Sequence, residues 1–332
     1  MKRFKINLNL ILLITLIILA IISINIGVEQ FSIIGLIKNE SHDINIFMKS
    51  RLPRVLSTVI VGISLSIAGL IMQTITSNKF VSPSTAGTMD FAKLGILFAI
   101  LFGASASMLT KTIISFVVAI SGTMIFMLIL KKVKIKNAVL IPLLGLMLGN
   151  VVSSISTFIA YRYDLIQNIN SWLMGSFTLV TKGNYELLYI GIPFMILAYL
   201  YANKFTIAGM GEDFSTSLGL NHKIVVMVGL VIVAVITALV VVTIGTIPFV
   251  GLIVPNIISL YRGDNLKKTL PATAMFGAIF VVLGDILSRV IIFPYELSIS
   301  VVMSVVGSFI FLIIIFRKKA KMKWKDLLKN CG

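Results

Sequence analysis

The residues of this chain able to do chemistry are few, and their spacing suits charge recognition better than bond making. His42 and His222 stand far apart outside the apolar runs, and Cys331 is a lone thiol in the tail. Such a set forms no internal disulfide and no metal cluster. Arg51 and Arg54 bracket Leu52 and Pro53, while Asp285 and Arg289 lie one helical turn apart. Guanidinium forks match carboxylates, either within the chain or on a partner. Asp90 and Lys93 fall inside an apolar stretch. Charges at membrane depth face protein or water, and a spacing of three puts both on one helix face, so they read as a neutralising pair. A proton or sodium relay is the competing reading. The sequence shows no nucleophile or acid–base cluster at membrane depth and no Walker-type phosphate loop, so neither a membrane enzyme nor a self-powered pump has its machinery here.

The elements that position these residues are apolar spans. The chain has 332 residues, 58% hydrophobic and 12% charged. A soluble protein carries about 25% charged residues, so half that share marks lipid as the solvent. The predicted class is an all-α polytopic membrane protein of about ten transmembrane helices. Apolar length and punctuation place the spans near 8–28, 53–75, 84–103, 112–131, 138–159, 186–202, 225–244, 247–261, 269–289 and 297–316. The first follows Lys2, Arg3 and Lys5; it is long for a cleaved signal peptide, and no small-residue cleavage site follows it. The eighth is short and crowded by Gly245, Pro248, Gly251 and Pro255. Such breakers persist where protein or a water-filled cavity satisfies the freed backbone.

An even number of spans puts both termini on one side. On that side fall most of the 29 Lys and Arg and few of the 12 acids. The positive-inside rule makes it the cytoplasm, in a cell membrane. The net charge of +17 is thereby explained by anionic lipid, without nucleic acid. The whole chain, 1–332, reads as one transmembrane domain with spans over about 8–316, a cytoplasmic segment at about 205–222 and a basic cytoplasmic tail at 317–332.

Several local patterns occur in one order. Arg51-Leu52-Pro53-Arg54 is followed by Gly62, Gly69, Gln73, Asn78, Pro83 and Gly87. Phe249-Val250-Gly251-Leu252-Ile253-Val254-Pro255 precedes Arg262-Gly263-Asp264. Asp285, Arg289, Glu296-Leu297, Gly307 and Phe311 close the set. In this order and spacing, over about residues 45–316, the chain resembles the iron–siderophore, haem and vitamin B12 import permeases of ATP-binding-cassette systems, a FecCD-like pattern. It is most similar to a bacterial ferric siderophore permease subunit. Departures occur at Asn78-Lys79-Phe80-Val81, at Met89-Asp90-Phe91-Ala92, at Asn256, and at Glu296-Leu297-Ser298-Ile299-Ser300.

The resemblance implies a type II importer permease and no bond chemistry on this chain. It implies a second permease subunit, two ATPase subunits that bind ATP and Mg, and an extracellular or lipid-anchored siderophore-binding protein. Iron travels inside the siderophore, and the chain itself carries no cofactor. Arg51, Arg54 and Arg289, predicted at the outer ends of spans, become receptor-docking residues, with interfacial snorkelling as the plainer alternative. Gly211, Glu212, Asp213, Phe214, Leu218 and Gly219 become the element that couples to the ATPase. The stretch 209–220 reads as two short helices split by glycine, with Phe214, Leu218 and Leu220 as apolar anchors. Gly145 and Gly149 form a GxxxG contact, and with Gly251 and Pro255 serve helix packing or the translocation path. Haem or vitamin B12 is the alternative cargo, and an ion-coupled secondary transporter the alternative class.

Overall fold

The computed structural model describes residues 8–29, 31–32, 35–36, 40–103, 107–132 and 140–329. The basic residues Lys2, Arg3, Lys5, Lys134 and Lys136, counted above toward sidedness, lie outside them. Fourteen α-helices run through the described residues: α1 Leu8–Asn25, α2 Ser41–Ile46, α3 Leu52–Ile75, α4 Thr88–Phe102, α5 Met108–Lys132, α6 Leu140–Arg162, α7 Ile166–Leu173, α8 Gly191–Leu200, α9 Ala202–Ala208, α10 Glu212–Ser217, α11 His222–Thr243, α12 Val250–Arg262, α13 Leu266–Val290 and α14 Ile299–Lys329. A π-turn, Phe47–Arg51, joins α2 to α3. Each expected span overlaps a helix over most of its described length, the start of the fifth, 138–139, lying outside the described residues. Six of the described helices are long and apolar enough to cross a bilayer alone, and a seventh crossing results if the pair Glu186–Leu200 and Ala202–Ala208, bent by 60°, counts as one.

Two expected boundaries move. The sixth span continues past residue 202 as α9, whose Phe205 and Ala208 are buried, so the exposed connection starts at Met210 rather than near 205. The tail expected from 317 continues α14 as far as Lys329.

The bundle is organised around α3, which is strongly apolar and mostly buried. A helix buried all round must let its neighbours' backbones come close, which only small residues permit. A methyl group added at Gly62 would meet the Gly277 carbonyl oxygen of α13, and one added at Gly69 would overlap the Gly251 backbone of α12. Gly69→Ala is therefore expected to lower stability by about 1–3 kcal/mol through overpacking, read as a fall in the unfolding temperature in detergent.

Helix α12 has 13 residues, so it is about 20 Å long, shorter than the ~30 Å hydrocarbon core. Pro255 inside it has no N–H to give, which strands the Gly251 carbonyl one turn earlier. The Gln73 side-chain amide of α3 donates to that carbonyl at 3.4 Å and to the Leu252 carbonyl at 3.1 Å. The breaker is thus tolerated because a neighbouring helix resupplies the lost donor. Phe249 enters α12 in the left-handed region, φ 69°. Its side chain packs on Gly307 of α14, where an added methyl would come within 2.6 Å of the Phe249 Cβ, and its ring lies 6.3 Å from the Phe311 ring. These contacts explain why Gly307 and Phe311 accompany the Phe-Val-Gly stretch.

Candidate functional sites at the two ends of the bundle

One end of the bundle holds a buried charge cluster. Arg54, in the first turn of α3, donates to Asp285 Oδ1 at 2.8 Å and to Glu296 Oε1 at 2.9 Å. Arg289, one turn beyond Asp285 on α13, donates to Asp285 Oδ2 at 2.6 Å. Its other N–H groups reach the Ser23 carbonyl at 2.9 Å and the Ile26 carbonyl at 2.7 Å. Arg51 closes the set from the π-turn, donating to the carbonyls of Ile26 and Glu29. The last carbonyls of α1 are unpaired within their own helix and carry its negative dipole end, so cations settle there. A cation in the first turn of α3 faces the opposite dipole, and the two carboxylates offset it.

This geometry corrects the expectation of an outward-facing cationic set. Arg51 is 7% exposed and Arg289 is 3% exposed, and each points into the protein. The helical spacing of Asp285 and Arg289 does give the anticipated pair. The convergence of Arg54, Glu296, Ser23 and Ile26 had no local signature, because the partners lie hundreds of residues apart in the chain.

Glu296 sits in the connection before α14, outside the apolar spans. Burial pushes its carboxyl up, but the Arg54 hydrogen bond and charge, the Thr178 hydroxyl at 2.8 Å and the Arg289 charge together hold it below the usual glutamate range. A lowered folded-state value contributes stability above the unfolded value, and that contribution is lost as pH falls through the folded one. The unfolding temperature is thus expected to drop on acidification below about pH 4.3. The Glu296→Gln variant should show a shallower drop in the same titration.

The opposite end carries the glycine-bounded helix α10. Gly211, φ 110°, opens it and Gly219, φ 76°, follows it, each in open space. Glu212 and Asp213 lie in its first turn, where the helix dipole favours acids. Met210, Phe214 and Leu218 recur every four residues and are all at least half exposed. The two-helix expectation for 209–220 gives way to one short helix, since α9 has already ended at Ala208. Leu220 packs against the core instead of joining the exposed edge. Below α10, Ser215 meets His222 at 3.1 Å and fixes the turn into α11.

The glycines Gly145 and Gly149 serve packing. The Gly87 Cα lies against them, and a methyl group at Gly149 would overlap the Asp90 carboxylate. Asp90 and Lys93 attract one another as expected and both bond Ser153 of α6, but among the described residues no direct salt bridge joins them. The Lys93 ammonium donates instead to Ser153 Oγ at 3.1 Å and Thr157 Oγ1 at 2.8 Å on α6. Gly251 likewise sits in the α3–α12 contact, with Pro255 buried one turn further along α12.

Known proteins are similar to this chain in sequence and in fold. The FecCD transport family model matches residues 11–317. The chain is 58% identical to the petrobactin import system permease protein YclN of Bacillus subtilis, over 93% of this chain and 98% of that one. It is 38% identical to the petrobactin import system permease protein FatD of Bacillus anthracis, over 93% and 91%. It is 40% identical to the ferric-anguibactin transport system permease protein FatD of Vibrio anguillarum, over 79% and 84%. In fold it is similar to a putative metal-chelate type ABC transporter solved in an inward-facing conformation, with TM-score 0.80, 24% identity and coverage of 93% and 98%. With the family pattern spanning nearly the whole helical bundle, the chain belongs to the FecCD transport family.

Proposed function

We propose that this chain is the membrane-spanning subunit of an ATP-driven importer of ferric siderophores, with ferric petrobactin as its cargo. The observation that carries the mechanism is α10 with its flanks, a short helix bounded by glycines where Phe214, with Met210 just before and Leu218 just after the helix, is exposed beside Glu212 and Asp213. An exposed apolar edge with flanking acids suits insertion into a groove on a partner. In this reading two ATPase subunits bind ATP and Mg and receive α10, and a second permease subunit completes the path. The 58% identity to a petrobactin permease supports the cargo.

The end bearing α10 and the basic residues Lys204, Lys223, Arg262, Lys267 and Lys268 faces the cytoplasm, with both termini on that side. A binding lipoprotein docks at the other end. There Arg51, Arg54 and Arg289 hold the rim in shape, and the Arg54–Glu296 pair is its least buried part. ATP closes the motor, and its different affinity for the two permease states biases the cycle. The iron remains chelated throughout, so this chain makes and breaks no bonds.

The test is radioiron uptake in cells lacking their own petrobactin permease, supplied with this chain, its ATPase and its receptor. Uptake of ferric petrobactin that needs the ATPase and survives collapse of the proton gradient is the expected result. Uptake without the ATPase would place the chain among secondary transporters.

A further inference from the structure

Helix α14 is longer than a crossing requires. Its 31 residues, Ile299–Lys329, make about 46 Å of helix. The hydrocarbon core is about 30 Å thick, and the bilayer with both headgroup layers about 40–45 Å. From Ile299 to Phe316 the helix carries no charge. That part is about 27 Å long, close to one core thickness. The sequence then turns basic at once: Arg317, Lys318, Lys319, Lys321 and Lys323 follow, with no acid among them.

The charge therefore begins where the core ends. One headgroup layer is about 5–8 Å deep by these dimensions, or roughly 3–5 residues of helix. Arg317, Lys318, Lys319 and Lys321 fall within it. The helix runs unbroken through this boundary, so their depth is fixed relative to the apolar part. The family pattern ends at residue 317, and the extension lies beyond it.

We propose that the start of this extension is a collar that binds the phosphate headgroups of anionic phospholipids in the cytoplasmic leaflet. Its sidedness rests on the importer reading above. Charge suits the occupant, since guanidinium and ammonium groups match phosphate oxygens, and about 4–8 basic residues directly beside a span attract anionic lipid. The arrangement favours lipid over a protein partner. Successive helix positions are about 100° apart, so Arg317, Lys318 and Lys319 fall on three sides of α14. A groove on a partner receives one side of a helix, whereas a headgroup layer meets every side left open to it. Trp324 follows, a residue type that settles at headgroup level. The collar fixes the depth of α14, and with it the contacts that Gly307 and Phe311 make with Phe249.

The test uses the full chain with Trp172→Phe, which leaves Trp324 as its one tryptophan. Energy transfer from Trp324 to dansyl-labelled phosphatidylglycerol or phosphatidylcholine in mixed micelles reads the lipid beside the extension. Phosphatidylglycerol should be preferred at low salt, and the preference should shrink at high salt. Lys318→Gln, Lys319→Gln, Lys321→Gln and Lys323→Gln combined should lower it at least about fivefold, the scale of one lysine at an anionic surface. Arginine at the same four positions should keep it. An undiminished preference in the Gln variant overturns the proposal. So does wild-type transfer indifferent to lipid charge, the result for an extension standing in water. A Trp324 signal that responds to added ATPase but not to phosphatidylglycerol also overturns it, assigning the extension to a protein partner. A lowered unfolding temperature with loss of preference in both the Gln and Arg variants overturns it as well, since the residues would then serve structure alone. The measurement needs neither cargo nor transport. Failure to support ferric petrobactin uptake would retire the importer reading and leave the lipid result standing.

Discussion

Replacing Asp285 with alanine is expected to cost this protein about 3–5 kcal/mol of stability, the largest single loss available outside the backbone contacts. The side chain is fully buried and accepts from two guanidiniums at once, Arg54 at 2.8 Å and Arg289 at 2.6 Å. Removing it leaves two cations in a low-dielectric rim with Glu296 as the remaining carboxylate of the cluster. Breaking a buried pair from one side costs more than the pair contributes, because the stranded charge cannot rehydrate. The loss should be read as a lowered unfolding temperature in detergent and a lower yield of membrane-inserted protein. Asp285→Asn keeps the shape and one acceptor oxygen, and should fall between. An unchanged unfolding temperature for the alanine variant would show that water reaches the cluster and screens it.

The second large effect lies at the other end and is functional. Phe214→Glu combined with Leu218→Glu replaces two exposed apolar side chains on α10, so folding should be unaffected. Both residues sit on the edge proposed to enter the ATPase. Central apolar anchors of an interface are worth about 2 kcal/mol or more each, and at that value one alone weakens binding roughly thirtyfold. The double variant should insert normally, lose ATPase association in co-purification, and lose cargo uptake with it. Normal association and uptake would remove α10 from the interface. Glu212→Ala is the useful contrast. Its 3.9 Å approach to Lys223 is solvent-exposed, and pairs of that kind contribute less than about 1 kcal/mol.

The sequence by itself determined the solvent, the class of fold and the family pattern. Long apolar runs leave one way to satisfy the backbone in lipid, so helices could be placed from composition and length alone. Gly145, Gly149, Gly251 and Pro255 were legible because missing atoms announce close contact or a freed carbonyl. The exposed edge of α10 was legible in part, since Phe214 and Leu218 are spaced for one helix face, although Leu220 was misplaced beside them. Tertiary structure alone decided where the charges go. Arg51 and Arg289 end inward because the end of α1 and the residues just after it bring open carbonyls to them, from 22 to 266 positions away. Lys93 bonds Ser153 and Thr157 rather than Asp90 because α6 lies alongside α4. Local spacing names the helix face a charge stands on, but not the neighbour that packs there, and in a medium without water that neighbour is what satisfies it.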